Sequence, residues 1–266
     1  MTESCFTPDV LTDQVAFVTG GATGIGKEIC RTLGQHGARI AMASRKQENL
    51  EAAVEELAAE GIDAQFGVCD IRDAAAVRAV VDGVVSDRGR IDIVVNNAAG
   101  NFPAPMSKIS PNGFKAVVDI DLLGTYNVTR AAFDACLRDR GGSIVNISAP
   151  FEQKGVVFQA HVAAAKAGVD SLTRTCAVEW GPFGIRVNAV VPGWMAGPSV
   201  DIYIDMTSTG RGVPAQVVID ELNARVPLGR IPSDGDVAGS IVYLASDLSS
   251  AMTGQALDTN GGEIFA

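Results

Sequence analysis

Val15-Ala16-Phe17-Val18-Thr19-Gly20-Gly21-Ala22-Thr23-Gly24-Ile25-Gly26 is an apolar run that breaks on a glycine-rich turn and leads into a stretch of helical period. The order strand, tight turn, helix is what a dinucleotide needs. Glycine gives the turn its backbone freedom and lets a pyrophosphate come close. The N-terminus of the following helix offers free N–H groups and the positive end of its dipole. A glycine cluster by itself is most often only a turn. Its place at the start of the first strand–helix unit makes Gly20, Thr23, Gly24, Ile25 and Gly26 candidate cofactor-binding residues.

Outward from this motif, apolar runs alternate with helical stretches. Strands are predicted over 15–19, 39–44, 63–69, 91–95, 143–148, 185–191 and 255–259, and helices over 24–36, 46–60, 73–88, 112–138, 161–180, 214–224 and 234–246. Asp73 is placed to cap the third helix, and Ser233 with Asp236 fits a capping box for the last. Such alternation builds βαβ units, hence a parallel sheet with helices on both faces. No repeat or linker interrupts it, so residues 1–266 read as one domain after a short leader, 1–11. The least regular stretch, 193–213 (GWMAGPSVDIYIDMTSTGRGV), is rich in Gly, Ser and Thr and is expected to be a substrate loop.

Composition narrows the function classes. With 47% hydrophobic and 20% charged residues in 266, the chain can bury a sizeable core. Its net charge of −10 argues against a nucleic-acid partner and means that an anionic ligand needs local donors. Five scattered cysteines (Cys5, Cys30, Cys69, Cys136, Cys176) and two histidines, His36 and His161, indicate neither a disulfide framework nor a metal site. No apolar run is long enough to span a membrane. The polar start MTESCFTPDV and the end EIFA carry no targeting signal, so a cytoplasmic protein is expected.

Four motifs in order carry a family resemblance: Thr19 to Gly26, Asn96-Asn97-Ala98-Ala99-Gly100, Arg186-x-Asn188-x-x-x-Pro192-Gly193, and Asn260-Gly261-Gly262. The chain resembles the short-chain dehydrogenase/reductases from about residue 12 to 263. The resemblance implies a Rossmann-type, doubly wound, seven-stranded parallel sheet in three α/β/α layers, a nicotinamide cofactor, hydride chemistry and a homotetramer. It adds Asn96, Ala98, Gly100, Pro192 and Gly193 to the cofactor contacts, and Asp70-Ile71 as the adenine pair, where Asp70 is otherwise a helix-capping acid.

A carboxylate at the end of the second strand selects NAD through the ribose 2′-OH. Ala43-Ser44-Arg45-Lys46 stands there instead. Ser44, Arg45 and Lys46 suit a 2′-phosphate, and so NADPH, although two basic residues also make an ordinary solvated helix start.

The family's catalytic set is an asparagine, a serine, a tyrosine and a lysine. Lys166 is present, but one helical turn before it stands Val162, which has no proton to give. The serine position falls on Ala149, with Ser148 beside it, and the asparagine position on Asp121. None of Tyr126, Tyr203 and Tyr243 lies in the motif, and Tyr203 reaches the site only if its segment swings in. Ala98-Ala99-Gly100-Asn101-Phe102, Asp119-Ile120-Asp121 and His161-x-x-x-x-Lys166 are similar to the peroxisomal type of 2,4-dienoyl-CoA reductase. That type has likewise lost the tyrosine and keeps Asp and Lys. The subgroup implies NADPH-dependent reduction of a conjugated acyl-CoA. Lys166 then serves the nicotinamide ribose and favours an enolate, and Asp121 orients a water or is simply paired with Lys166. Phe102 and Trp194 are candidates for the acyl channel or for packing, Ser148 for the substrate, and His161 for the substrate or a local cap. Arg211, Arg225 and Arg230 are candidates for CoA phosphates or plain surface. Two rival readings remain: a carbonyl or alcohol oxidoreductase with a substitute proton donor, and a non-catalytic NADP-binding protein.

Overall fold

A strand covered on both faces must be apolar throughout, and β1 (Val15–Thr19) is buried at every residue. In the computed structural model, which describes residues 7–151 and 155–264, β1 pairs in parallel with β2 (Arg39–Ser44) and with β4 (Ile93–Asn96). Outside them, β3 (Ala64–Val68), β5 (Gly142–Ile147), β6 (Ile185–Pro192) and β7 (Ala256–Thr259) complete a seven-stranded sheet of order β3-β2-β1-β4-β5-β6-β7, parallel throughout. The chain winds outward from β1 in one direction and then from β4 in the other. The crevice between their carboxyl ends is the switch point where open sheets of this kind hold ligands.

Two cores flank the sheet. One is built on α1 (Gly24–Gln35), α2 (Gln47–Ala59) and α10 (Asp234–Ala245), through Ile29, Leu33, Leu50, Leu57, Val237 and Ile241. The other is built on α3 (Ala74–Arg88), the long helix that begins at Pro111, and α7 (Ala160–Trp180), through Val77, Val81, Val128, Leu137 and Cys176. These are the predicted Rossmann-type α/β/α layers. Asp73 caps α3 by accepting from the N–H groups of Ala75 and Ala76, and Ser233 and Asp236 form the capping box of α10. Cys30, Cys69, Cys136 and Cys176 are buried free thiols, and burial pushes Cys69 and Cys176 up to about 11. Cys5 and the terminal Phe265-Ala266 lie outside the described residues. No helix among the described residues is long and apolar enough to cross a membrane, and no group of His, Cys, Asp and Glu among them is placed to hold a metal.

Three expectations need correction. Residues 193–213 are not an irregular loop: α8 (Pro198–Arg211) occupies most of them and ends on Gly212 in the left-handed region. Val200 and Ile204 form an apolar stripe that packs on Val218 and Leu222 of α9 (Ala215–Asn223). The predicted helix 112–138 runs from Pro111 to Arg140 as α4 (Pro111–Val118), α5 (Thr125–Ala132) and α6 (Arg138–Arg140), joined by π-helical stretches at Asp119–Gly124 and Phe133–Leu137. The leader is shorter than 1–11, because Leu11 is fully buried and its N–H donates to the His36 carbonyl at 2.8 Å.

Candidate active site

Thr19, at the carboxyl end of β1, ties the two strands of the switch point together. Its hydroxyl accepts from the backbone N–H groups of Asn97 and Ala98, both at 3.0 Å. The Asn97 amide donates to the Thr19 carbonyl at 3.0 Å and to the Gly20 carbonyl at 3.4 Å. The glycine turn is therefore held from beneath by the loop after β4. A Cβ on Gly26 would sit 2.1 Å from the Gly20 carbonyl oxygen, whereas one on Gly24 (φ +52°) would meet nothing within 4 Å. The loop is tightly wound on its inner side and open on its outer side. Thr23 precedes α1 without a side-chain cap bond, and the first turn of α1 carries no acidic residue. A pyrophosphate fits this cradle. Thr19 went unassigned in the sequence; its signal was a hydroxyl at the end of a strand that flanks the switch point.

The Asn96 amide donates to Thr129 at 2.9 Å and to Asn146 at 2.8 Å, so the side chain braces β4 against α5 and β5. Ser44 ends β2, with Arg45 and Lys46 exposed beyond it. Asp70 is gripped by Arg72, at 2.9 and 3.0 Å through Nε and at 2.5 Å through an Nη. That guanidinium first, and the charge of Arg45 last, hold its carboxyl below the usual range. Ile71 is buried at the approach of Gly124, where a Cβ would come 2.5 Å from it. Pro192 ends β6, and Gly193 lies so close to Asn260 and Glu263 that a Cβ would meet them at 2.8 and 2.6 Å. The Trp194 N–H donates to Glu263 at 3.2 Å, and its ring lies 4.7 Å from that of Tyr203. Tyr203 thus belongs to the α8 packing. Tyr243 donates to the Met252 sulfur, and Tyr126 is exposed. Arg211 is committed to Glu221 and Arg230 to Asp236, both at 2.6 Å.

The polar centre is deeper. Asp121 is 1% exposed in the first π-helical stretch, where an extra residue per turn alters which side chains face inward. One of its oxygens accepts the Gly100 N–H at 2.7 Å, and the other lies 3.9 Å from Lys166 Nζ. Lys166 donates to the Ile147 carbonyl at 2.7 Å. Burial raises the Asp121 carboxyl above its usual range, against the pull of Lys166, the Gly100 N–H and His161. Burial likewise lowers Lys166, opposed by Asp121 and Asp170. A low-dielectric site drives both partners toward their neutral forms. Around them, Ser148 Oγ, Asp121 Oδ2 and both ring nitrogens of His161 are buried and make no hydrogen bond among the described residues. The Phe102 ring stands edge-on to His161 at 4.4 Å. The structure thus brings Asp121, Ser148, His161 and Lys166 together with Phe102, and leaves Trp194 with α8. A hollow of about 530 Å³ near the end of β7, lined by Leu228, Arg230, Thr259 and Gly261 among others, includes none of these polar groups.

The family model described as enoyl-(acyl carrier protein) reductase matches residues 20–263. The peroxisomal 2,4-dienoyl-CoA reductase of Rattus norvegicus is 43% identical over 97% of this chain and 86% of its own length. The chain belongs to the short-chain dehydrogenase/reductase family. It is an oxidoreductase of that family. The peroxisomal 2,4-dienoyl-CoA reductase of Saccharomyces cerevisiae is 39% identical to this short-chain dehydrogenase/reductase, over 98% of this chain and 88% of its own. Among solved structures, a citronellol catabolism dehydrogenase of Pseudomonas aeruginosa PAO1 superposes with a TM-score of 0.85 at 35% identity, covering 98% of this chain and 99% of that one. An actinorhodin polyketide ketoreductase variant with NADPH superposes at 0.89 and 35% identity, covering 94% and 97%.

Proposed function

We propose that the protein reduces a conjugated dienoyl-CoA to an enoyl-CoA with NADPH. The observation that carries this reading is the buried pair of Asp121 and Lys166, with Val162 on the helical turn before the lysine. Ketone reduction makes an alkoxide, which needs a proton donor such as a phenol at once. Reduction of a conjugated thioester makes an extended enolate, whose charge needs a positive field and whose carbon takes its proton from water. Asp121 and Lys166 suit the second reaction, and Val162, one helical turn before the lysine, supplies no phenol. The dienoyl-CoA reductase relatives at about 40% identity point the same way.

When bound, NADPH would supply a hydride; delivered to the δ carbon of the dienoyl group, it would shift the π pairs toward the thioester oxygen, and a proton added at the α carbon would complete the 3-enoyl product. Gly20 to Gly26 and the start of α1 hold the pyrophosphate, while Ser44, Arg45 and Lys46 take the 2′-phosphate. Ala98, Gly100, Pro192 and Gly193 line the nicotinamide side of the crevice, and Asp70 and Ile71 border the adenine. Lys166 holds the nicotinamide ribose, and its charge favours the enolate. Asp121 orients the water that protonates carbon. Phe102 and Ser148 face the acyl group, and the Trp194 segment borders it.

The test is consumption of NADPH by the purified protein with 2,4-hexadienoyl-CoA. Turnover is expected, with the 3-enoyl thioester as product. Silence across a panel of dienoyl- and enoyl-CoA chain lengths, with bound NADPH verified, overturns the reading.

A further inference from the structure

We propose that His161 donates the hydrogen bond that holds the substrate's thioester oxygen, in the role a phenol fills elsewhere. The assignment rests on the dienoyl-CoA reading above and names the group that meets the oxygen. His161 is fully buried, yet among the described residues neither of its ring nitrogens has a hydrogen-bond partner. Buried polar groups in folded proteins are nearly always paired, so a ring with two unpaired nitrogens points to a ligand that pairs it. The ring is also fixed in place. It sits on the first turn of α7, next to Val162, and receives the edge of Phe102 at 4.4 Å and an interplanar angle of 79°. Phe102 is itself 39% exposed, so the imidazole lies directly behind an aromatic that opens to solvent. The imidazole is within electrostatic reach of Asp121.

The other polar groups of the centre are already engaged or differently placed. Lys166 donates to the Ile147 carbonyl, and the Asn97 amide is spent on the glycine turn. Ser148 is a further donor without a partner among the described residues, and it stands just past the end of β5 rather than on α7. In either protonation state an imidazole carries at least one N–H. The N–H stabilises the oxygen as negative charge gathers on it, and His161 keeps its proton throughout.

The experiment compares wild type with His161→Phe, His161→Gln, His161→Asn and Ser148→Ala as full chains. It measures kcat and KM with 2,4-hexadienoyl-CoA, NADPH binding by fluorescence, and the thioester C=O stretch of dienoyl-CoA bound with NADP+. His161→Phe is expected to lose about a hundredfold or more in kcat, as for other single oxyanion donors. Its NADPH affinity stays within about twofold, and the downshift of the C=O stretch disappears. His161→Gln, which keeps an N–H, retains more of both than His161→Phe. Should His161→Phe fail to fold, His161→Asn, polar but too short to reach, decides by the same two readouts. A kcat within about threefold of wild type, with the wild-type downshift of the stretch retained in the histidine variants, overturns the assignment, as does a loss confined to Ser148→Ala. A wild-type protein that turns over no dienoyl-CoA overturns the reaction itself, whereas turnover insensitive to residue 161 overturns only the role of His161.

Discussion

Asp121 and Lys166 stand 3.9 Å apart, both buried, and each shifts toward neutrality. For Asp121 the consequence is a sign. Its folded value lies above that of a free carboxyl, so the protonated form persists to higher pH than the ordinary value of about 4. A rate that needs the carboxylate then climbs with pH through that raised value. Asp121→Asn keeps an oxygen for the Gly100 N–H but carries no charge. The acid limb of the kcat/KM profile should vanish in this variant, and kcat should fall by about 10²-fold. An acid limb that survives unchanged assigns it to another group. At the opposite end of the crevice, Arg45 is exposed at the end of β2 with no carboxylate at its side in sequence. Arg45→Ala should raise the KM for NADPH by about ten- to a hundredfold, roughly 1.4 to 2.7 kcal/mol, and leave that for NADH nearly unmoved. Equal effects on both cofactors would show that Arg45 does not read the 2′-phosphate.

Single elements carry separable energies. At the start of α10, Ser233 Oγ accepts the Asp236 N–H at 3.3 Å, while the Asp236 carboxylate accepts the Ser233 N–H at 2.8 Å and Arg230 at 2.6 Å. Ser233→Ala should cost about 1 kcal/mol, read as a lower urea midpoint with an unchanged slope. The Arg230 guanidinium, ahead of the Ser233 bonds, holds Asp236 well below the usual carboxylate range. A lowered acid contributes stability that is fully present above its unfolded value and is lost as pH falls through the lowered one. The penalty of Asp236→Asn should therefore be constant near neutrality and shrink only in strong acid. This box, like the Asp73 cap and the seven strands, was legible because cap residues and apolar runs are local signals. Helix α8 was not. Its apolar residues Val200, Tyr203 and Ile204 do recur at helical spacing, but Gly, Ser and Thr dilute them and their partner is α9 rather than the sheet. The π-helical turn that carries Asp121 leaves no mark in composition at all. Asp121 and Lys166 could be picked out by their places in motifs, whereas the unpaired nitrogens of His161 exist only once α7 and the loop bearing Phe102 have met.

Across the whole molecule, the crevice draws on parts far apart in the chain. The glycine turn follows β1, the basic residues follow β2, Gly100 follows β4, Lys166 comes from α7 and Gly193 follows β6. A ligand that touches all of them bridges both halves of the sheet and binds only the folded chain. Mass action then makes the cofactor a stabiliser: at a hundred times its Kd it should add about 2.7 kcal/mol. For a chain of this length that corresponds to a rise in Tm of about 5–10 °C. NADPH should give this rise in thermal unfolding, and NADH at the same concentration a smaller one, because Arg45 and Ser44 meet no 2′-phosphate in NADH. The difference between the two cofactors should close in Arg45→Ala. Gly26→Ala tests the same linkage from the other side. Its added carbon, 2.1 Å from the Gly20 carbonyl oxygen, forces the glycine turn to move, and the Tm should then stop responding to either cofactor. A wild-type Tm indifferent to NADPH at saturating concentration would take the cofactor out of this crevice, and with it the source of the hydride.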